Sequence, residues 1–365
     1  MTRTIPTTAT TTTTTVTKGF LLTRQWIDRP ALTLHYWLTT DEGPLLLDIA
    51  NQDSVFFVCS TNIEKTRHVL NSCVGKALNS QNPSGLWYDK TVALKNFNHQ
   101  PMHAVYFKKQ TLLYRARREL RTIGLAPLEA DINPTDRFLM ERFVTGAMQV
   151  QGKLVQEQGY RRIQNPKIQR AEYVPSYTVV SLDIETSMIG EQLYSIAVLA
   201  KQTKNAAYCE RYVFMIGSSD DNQVTNNQSK THHPSYLFYF NDELSLMTAF
   251  LQRFSQIDPD IIIGWAVINF DLRFLQRKAE HLRLRLSLGR ANTECDWRQS
   301  RDNKEHYTLT LPGRLVLDGI DTLKSATYNF ESFSLQHVSG ELLNRGKLIH
   351  NVDARGEEIT TLILS

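Results

Sequence analysis

Residues 177–186, Tyr-Thr-Val-Val-Ser-Leu-Asp-Ile-Glu-Thr, form an apolar, β-branched run that closes on two carboxylates, Asp183 and Glu185, on either side of Ile184. That composition predicts a buried strand. Side chains two apart on a strand share a face, so both acids point one way and Ile184 the other. Further strands are expected at 193–200 and 211–216, with connections short enough for an antiparallel meander. A polar loop is expected at 217–235, including His232 and His233, and then a strand at 236–240. Met247, Phe250, Leu251 and Phe254 recur at helical spacing behind a cap at Asn241 or Asp242. Asp258-Pro259 ends that helix, and 261–265 is a fully apolar strand. Leu272, Leu275, Ala279 and Leu282 mark another helix, which puts Asp271 at its N-terminus, where capping is the ordinary role. A strand at 314–318 and a helix at 332–343 complete the pattern.

The earlier half reads differently. Residues 1–17 are Thr-rich and nearly without apolar side chains, the composition of a disordered tail. An α+β domain is expected over 18–152, with strands at 33–38, 44–48, 55–58 and 102–107. Its helix, 111–123, carries Leu113, Ala116, Leu120 and Ile123 as an apolar stripe. Arg115, Arg117, Arg118 and Arg121 lie on its other faces, solvated or in contact with phosphate. A polar stretch at 156–171 opens the second domain, 153–365.

Meander, helix, strand, helix, strand, helix is the element order of a ribonuclease H-like α/β fold, a mixed five-stranded sheet with helices. There the first strand is central and the strand after the first helix lies beside it. Acids at those two strand ends then face each other, which joins Asp183, Glu185 and Asp271 into one cluster. Anions held together repel unless cations lie between them, and an all-oxygen set favours magnesium or manganese. The plainer alternative is two solvated acids at a strand end and a helix cap at Asp271. An Asp-x-Glu triplet alone recurs by chance about once in a chain of this length.

Composition adds bounds. The 365 residues exceed what one domain usually needs, and 41% hydrophobic with 21% charged residues describes a globular chain with a sizeable core. A net charge of +4 is compatible with a nucleic-acid partner without requiring one. The four cysteines are scattered with no ligand spacing, which points to a reduced, cytoplasmic setting. No apolar run approaches the roughly 20 residues of a membrane span.

Several motifs in order resemble a family B DNA polymerase of the bacterial polymerase II type. Ser181-Leu-Asp-Ile-Glu-Thr186 is similar to the family's first exonuclease motif, and Asp260-Ile-Ile-Ile-Gly-Trp265 with Asn269-Phe-Asp-Leu272 to its second. Gly313-Arg-Leu-Val-Leu-Asp-Gly319 adds support, as does the stretch from Glu129 to Phe143. The resemblance implies a 3′-5′ proofreading exonuclease domain behind the family's N-terminal domain. It implies two magnesium or manganese ions on Asp183, Glu185 and Asp271, with Thr186 and Phe270 contacting the DNA. For Phe270, core packing is the equal alternative.

The implied partners are the single-stranded 3′ end, primer-template DNA and, through a C-terminal part not seen here, a sliding clamp. Two departures stand out. The family has Asn five residues before the second-motif Asp, where this sequence has Ala266. No third motif, a Tyr followed by an Asp, comes after Leu343, and the polymerase palm is missing. The expectation is therefore weak or absent nuclease activity in this chain. The competing reading is a nuclease-like scaffold that holds single-stranded DNA without cutting it.

Overall fold

The computed structural model describes residues 14–78, 85–187, 190–217 and 236–346. The loop expected at 217–235 and residues 1–13 of the expected tail fall almost wholly outside these. The chain divides into two compact units, Met1–Pro175 and Ser176–Ser365.

In the first unit, β1 (Thr14–Ile27), β2 (Thr33–Thr40) and β3 (Gly43–Ile49) precede β4 (Ser54–Cys59) and α1 (Ile63–Leu78). Then come β5 (Trp87–Lys95), β6 (Pro101–Phe107), α2 (Gln110–Thr122) and α3 (Pro134–Met140), followed by β7 (Ala147–Glu157), β8 (Tyr160–Gln164) and β9 (Lys167–Arg170). The order β1-β2-β3-β8-β7 closes into a barrel because β7 also pairs with β1. Leu34, Tyr36, Leu38, Leu45, Leu47, Met148, Val150 and Ile163 fill it, with Phe138 and Leu139 of α3 as a plug. The buried Tyr36 hydroxyl donates to the Thr135 carbonyl at 2.8 Å, which satisfies the one polar atom this side chain carries into the core. A second sheet, β4-β6-β5, packs Phe56, Val58, Val105 and Phe107 against Leu70 of α1 and Leu113, Ala116 and Leu120 of α2.

Three expectations need correction. Residues 14–17 are not tail: Thr14 to Thr17 pair with Lys153 to Val150. Main-chain bonds to a neighbouring strand order a polar, β-branched segment that has no core of its own. The first unit does not stop at residue 152, since β7 runs on and β8 and β9 belong to the same sheet. Its charged residues hid this; Arg161 pairs with Glu42 and Arg162 with Asp48 across the β3–β8 pairing. Finally, Ile123 lies beyond the end of α2 and is exposed, while Leu112 is buried instead.

The second unit runs β10 (Thr178–Thr186), β11 (Leu193–Gln202), β12 (Cys209–Ile216), β13 (Leu237–Phe240), α4 (Glu243–Ile257), β14 (Ile261–Gly264) and α5 (Arg273–His281). It continues with β15 (Asp296–Gln299), β16 (Tyr307–Thr310), β17 (Leu315–Asp318), α6 (Gly319–Ser325) and α7 (Leu335–Leu343). The sheet order is β13-β12-β11-β10-β14-β17, six strands rather than five because the short β13 joins in parallel. β10 pairs antiparallel with β11 and parallel with β14, so the acid-bearing strand is central. Val180, Leu182 and Ile184 of β10 pack with Leu246, Met247, Phe250 and Phe254 of α4 and with Leu272 and Leu275. Asp242 caps α4 by accepting from the Ser245 amide at 2.8 Å, and Asp258 closes it in the left-handed region at φ 47°.

At the end where α4 hands over to β14, Arg290 is buried and bonds Asp258, Asp260 and the Gly313 carbonyl. Asp260 in turn accepts from the Thr178 amide at 2.9 Å. This network sets where β10, β14 and β17 begin, and therefore which residues meet at their far ends. Among the described residues no helix is long and apolar enough to cross a membrane.

Candidate active site

The end of β10 alternates as a strand packed on one face: Leu182 and Ile184 are buried, Asp183 and Glu185 exposed. β14 runs alongside with Ile263 opposite Ser181, and its last residue, Gly264, lies against β10. A Cβ on Gly264 would stand 2.7 Å from the Leu182 carbonyl oxygen, so only glycine permits this approach. The chain then turns sharply. Ala266 sits at φ 56°, a conformation that L-residues other than Asn, Asp and Gly seldom adopt. A π-turn follows at Ile268–Leu272, just before α5.

That turn changes what Asp271 does. It does not cap α5; its side chain is 1% exposed and accepts from the Ile184 amide at 3.0 Å. The bonded amide lies between Asp183 and Glu185, so the second-motif acid is fastened to the backbone of the first. Burial above all, then the charge of Asp183 and in smaller part that of Asp318, pushes the Asp271 carboxyl up to about 7. Two backbone donors work against that rise. Among the described residues no three His, Cys, Asp or Glu side chains are gathered tightly enough to hold one ion. The Asp183–Asp271 pair stands together, and Glu185 lies two residues along on the same strand face.

Other expected site residues are placed as follows. Phe270 is half exposed beside Asp271 and is not a core residue. The Thr186 hydroxyl turns back to the Ser187 carbonyl at 3.3 Å. Asn269 accepts from the Tyr307 amide at 2.7 Å, which ties the turn to the β15–β16 hairpin. It is thus engaged elsewhere and does not replace the amide missing at Ala266.

The sequence reading missed three residues that build the site. Asp318 ends β17 and is 4% exposed; it accepts from the Ile268 amide at 3.1 Å and the Ile320 amide at 3.0 Å. Lys278 of α5 is buried, with its amine on the Glu191 carbonyl and 2.8 Å from Glu243. Glu243 also accepts from the Leu193 amide at 2.6 Å, so α4 and α5 together hold the ends of the β10–β11 connection. For Asp318 a signal existed, the acid closing an apolar strand inside a recognised motif. Lys278 and Glu243 gave none, since helix charges usually face water.

Comparison with known proteins follows the same outline. The model of the DNA polymerase family B exonuclease domain matches residues 127–338, and that of the DNA polymerase II N-terminal region matches residues 19–53. DNA polymerase II of Escherichia coli is 37% identical over 343 residues, 93% of this chain and 40% of that protein. The DNA polymerase delta catalytic subunit of Plasmodium falciparum is 24% identical over 266 residues, 62% of this chain and 23% of that one. Among solved structures, the family B DNA polymerase of Pyrobaculum calidifontis superposes with a TM-score of 0.65 at 14% identity, over 95% of this chain and 42% of that one, a likeness of fold. The chain thus spans about two fifths of the length of the polymerase II it matches. An acid-bearing central strand, a tight turn fastening a second acid to it, and a family model covering more than half the residues lead to one conclusion: this chain belongs to the family B DNA polymerases and carries their exonuclease domain.

Proposed function

We propose that the second unit removes the 3′-terminal nucleotide of single-stranded or frayed DNA by hydrolysis, as a proofreading exonuclease. The observation that carries this reading is the Asp271 carboxyl, buried and bonded to the Ile184 amide, within reach of the Asp183 charge. An acid kept partly protonated by burial first and by its neighbour's charge second is a poor structural element and a good half-site for a hard cation. The donor set fits: three carboxylates, no nitrogen or sulfur. Asp183, Glu185 and Asp271 would hold magnesium or manganese, whose chemistry when bound is to lower the pKa of water and to stabilise a leaving 3′ oxygen. The chain's own residues do the rest. Ile184 and Asp271 keep the acids in register, and the half-exposed Phe270 offers an aromatic face to a terminal base that has left its stack.

The second reading, a scaffold that binds DNA without cutting, is favoured by Ala266 and by the lack of a preformed three-acid group among the described residues. The separating experiment uses 3′-labelled single-stranded DNA with magnesium, comparing the chain with its Asp183→Asn and Asp271→Asn variants. Release of labelled mononucleotide that both substitutions abolish supports the nuclease. Salt-sensitive DNA binding with no release, unchanged in the variants and not restored by Ala266→Asn, supports the scaffold.

A further inference from the structure

We propose that Asp318 is a positioning residue for the acid site: its carboxylate sets the π-turn that delivers Asp271 to β10. The proposal rests on the nuclease reading for its chemical consequence, but not for its structural one. β17 lies on the far side of β14 from β10, with Asp318 directly beside Gly264. Its two oxygens serve two different elements. Oδ1 accepts from the Ile320 amide and caps α6, the ordinary use of an Asp at this place. Oδ2 accepts from the Ile268 amide, in the first residue of the π-turn and three before Asp271. A cap needs one oxygen, and Ser, Thr or Asn serves as well as Asp. The second oxygen is therefore explained by the turn.

The turn needs such a tether. Gly264 packs against the Leu182 carbonyl, Ala266 is held at φ 56°, and the turn that follows widens to a bond from the Leu272 amide to the Val267 carbonyl, five residues back. Between β14 and the Asp271–Ile184 bond, the buried Asp318 fixes the middle of this stretch. Hydrogen bonds thus join the Ile320 amide of α6 and the Ile268 amide through Asp318, the backbone of the turn carries on to Asp271, and a further hydrogen bond joins Asp271 to Ile184. Through these links the outer strand of the parallel half holds the metal-side carboxyl in place without touching substrate.

Asp318→Ser separates the two roles, because a serine hydroxyl reaches the Ile320 amide and not the Ile268 amide as well. Hydrogen exchange on the whole 365-residue chain is read in peptides covering 179–187, 264–272 and 318–324. The expected result is exchange roughly tenfold faster or more at 264–272 and at the Ile184 amide, with 318–324 unchanged. In digestion of 3′-labelled DNA, kcat is expected to fall roughly 10–100-fold with KM nearly constant, the size of loss typical for partners that orient metal ligands. Asp318→Asn preserves the volume and decides the matter should the serine variant not fold; it too is expected to loosen 264–272. Wild-type exchange at 264–272 and Ile184 in both variants overturns the proposal. Faster exchange in a chain that never digests DNA keeps the positioning role and removes the nuclease reading.

Discussion

Asp271 shows how much one side chain's surroundings decide. Its place after an apolar strand and before an apolar helix was legible, and capping was the role that position suggests. The π-turn instead rotates the carboxyl inward onto the Ile184 amide. Burial and the Asp183 charge then lift it from an ordinary 3.8 to about 7. For an acid raised on folding, the neutral form is the one the fold favours. Its contribution to stability is complete below about pH 3.8 and is lost as pH rises through about 7. At roughly 1.4 kcal/mol for each pH unit, the cost above neutrality is a few kcal/mol. Without metal, Asp271→Asn is therefore expected to be more stable than wild type by that order at about pH 8 and nearly equal at about pH 4. Its amide oxygen still accepts from Ile184. Thermal melts in a chelator across that range check this, and equal melting temperatures at high pH would remove the argument. Magnesium should stabilise the wild type and not the variant.

Elements were read best where hydrophobicity and partner agree. β10, β14 and α4 are apolar on the faces they bury, and each lies within a few residues of its expected place. β1, β7, β8 and β9 are polar or Arg-rich, and they are strands because neighbours complete their hydrogen bonds and pair their charges. The β10–β14 contact is the element-level feature on which the site depends. Gly264→Ala puts a methyl group 2.7 Å from the Leu182 carbonyl, and backbone cannot swing aside as a flexible side chain does. The expected cost is about 1–3 kcal/mol, as for other overpacked cores. The parting of β14 from β10 should also show as faster exchange of the Ile184 amide. A denaturation midpoint within error of wild type would contradict it.

Across the whole molecule, each unit has its own core, and the second is centred on α4 against β10, β11 and β12. Phe250 is 1% exposed, packed edge-on against Phe214 and beside Phe254. Phe250→Ala is expected to cost about 3–5 kcal/mol of that unit's stability through lost contacts and the cavity left behind. Exchange measured separately in core peptides of the two units tests this. Slowly exchanging amides in β10 and β11 should become fast, and a loss below about 1 kcal/mol would mean that the core lies elsewhere.

From the sequence alone came the second unit's element order as far as α5, and Asp183, Glu185 and Asp271 as its candidate acids, because a strand's two-residue period and a helix's 3.6-residue period are local properties. The β15–β16 hairpin and α6 were not among the expected elements. The sequence also carried the family, since motifs in order along a chain need no coordinates. Only the tertiary structure decided that β1 and β7 to β9 form one sheet, and that Asp271 bonds a strand rather than its own helix. It alone gave Asp318 two tasks at once. These depend on which segments lie side by side, and pairing between residues up to about 140 positions apart leaves no periodic trace in either partner.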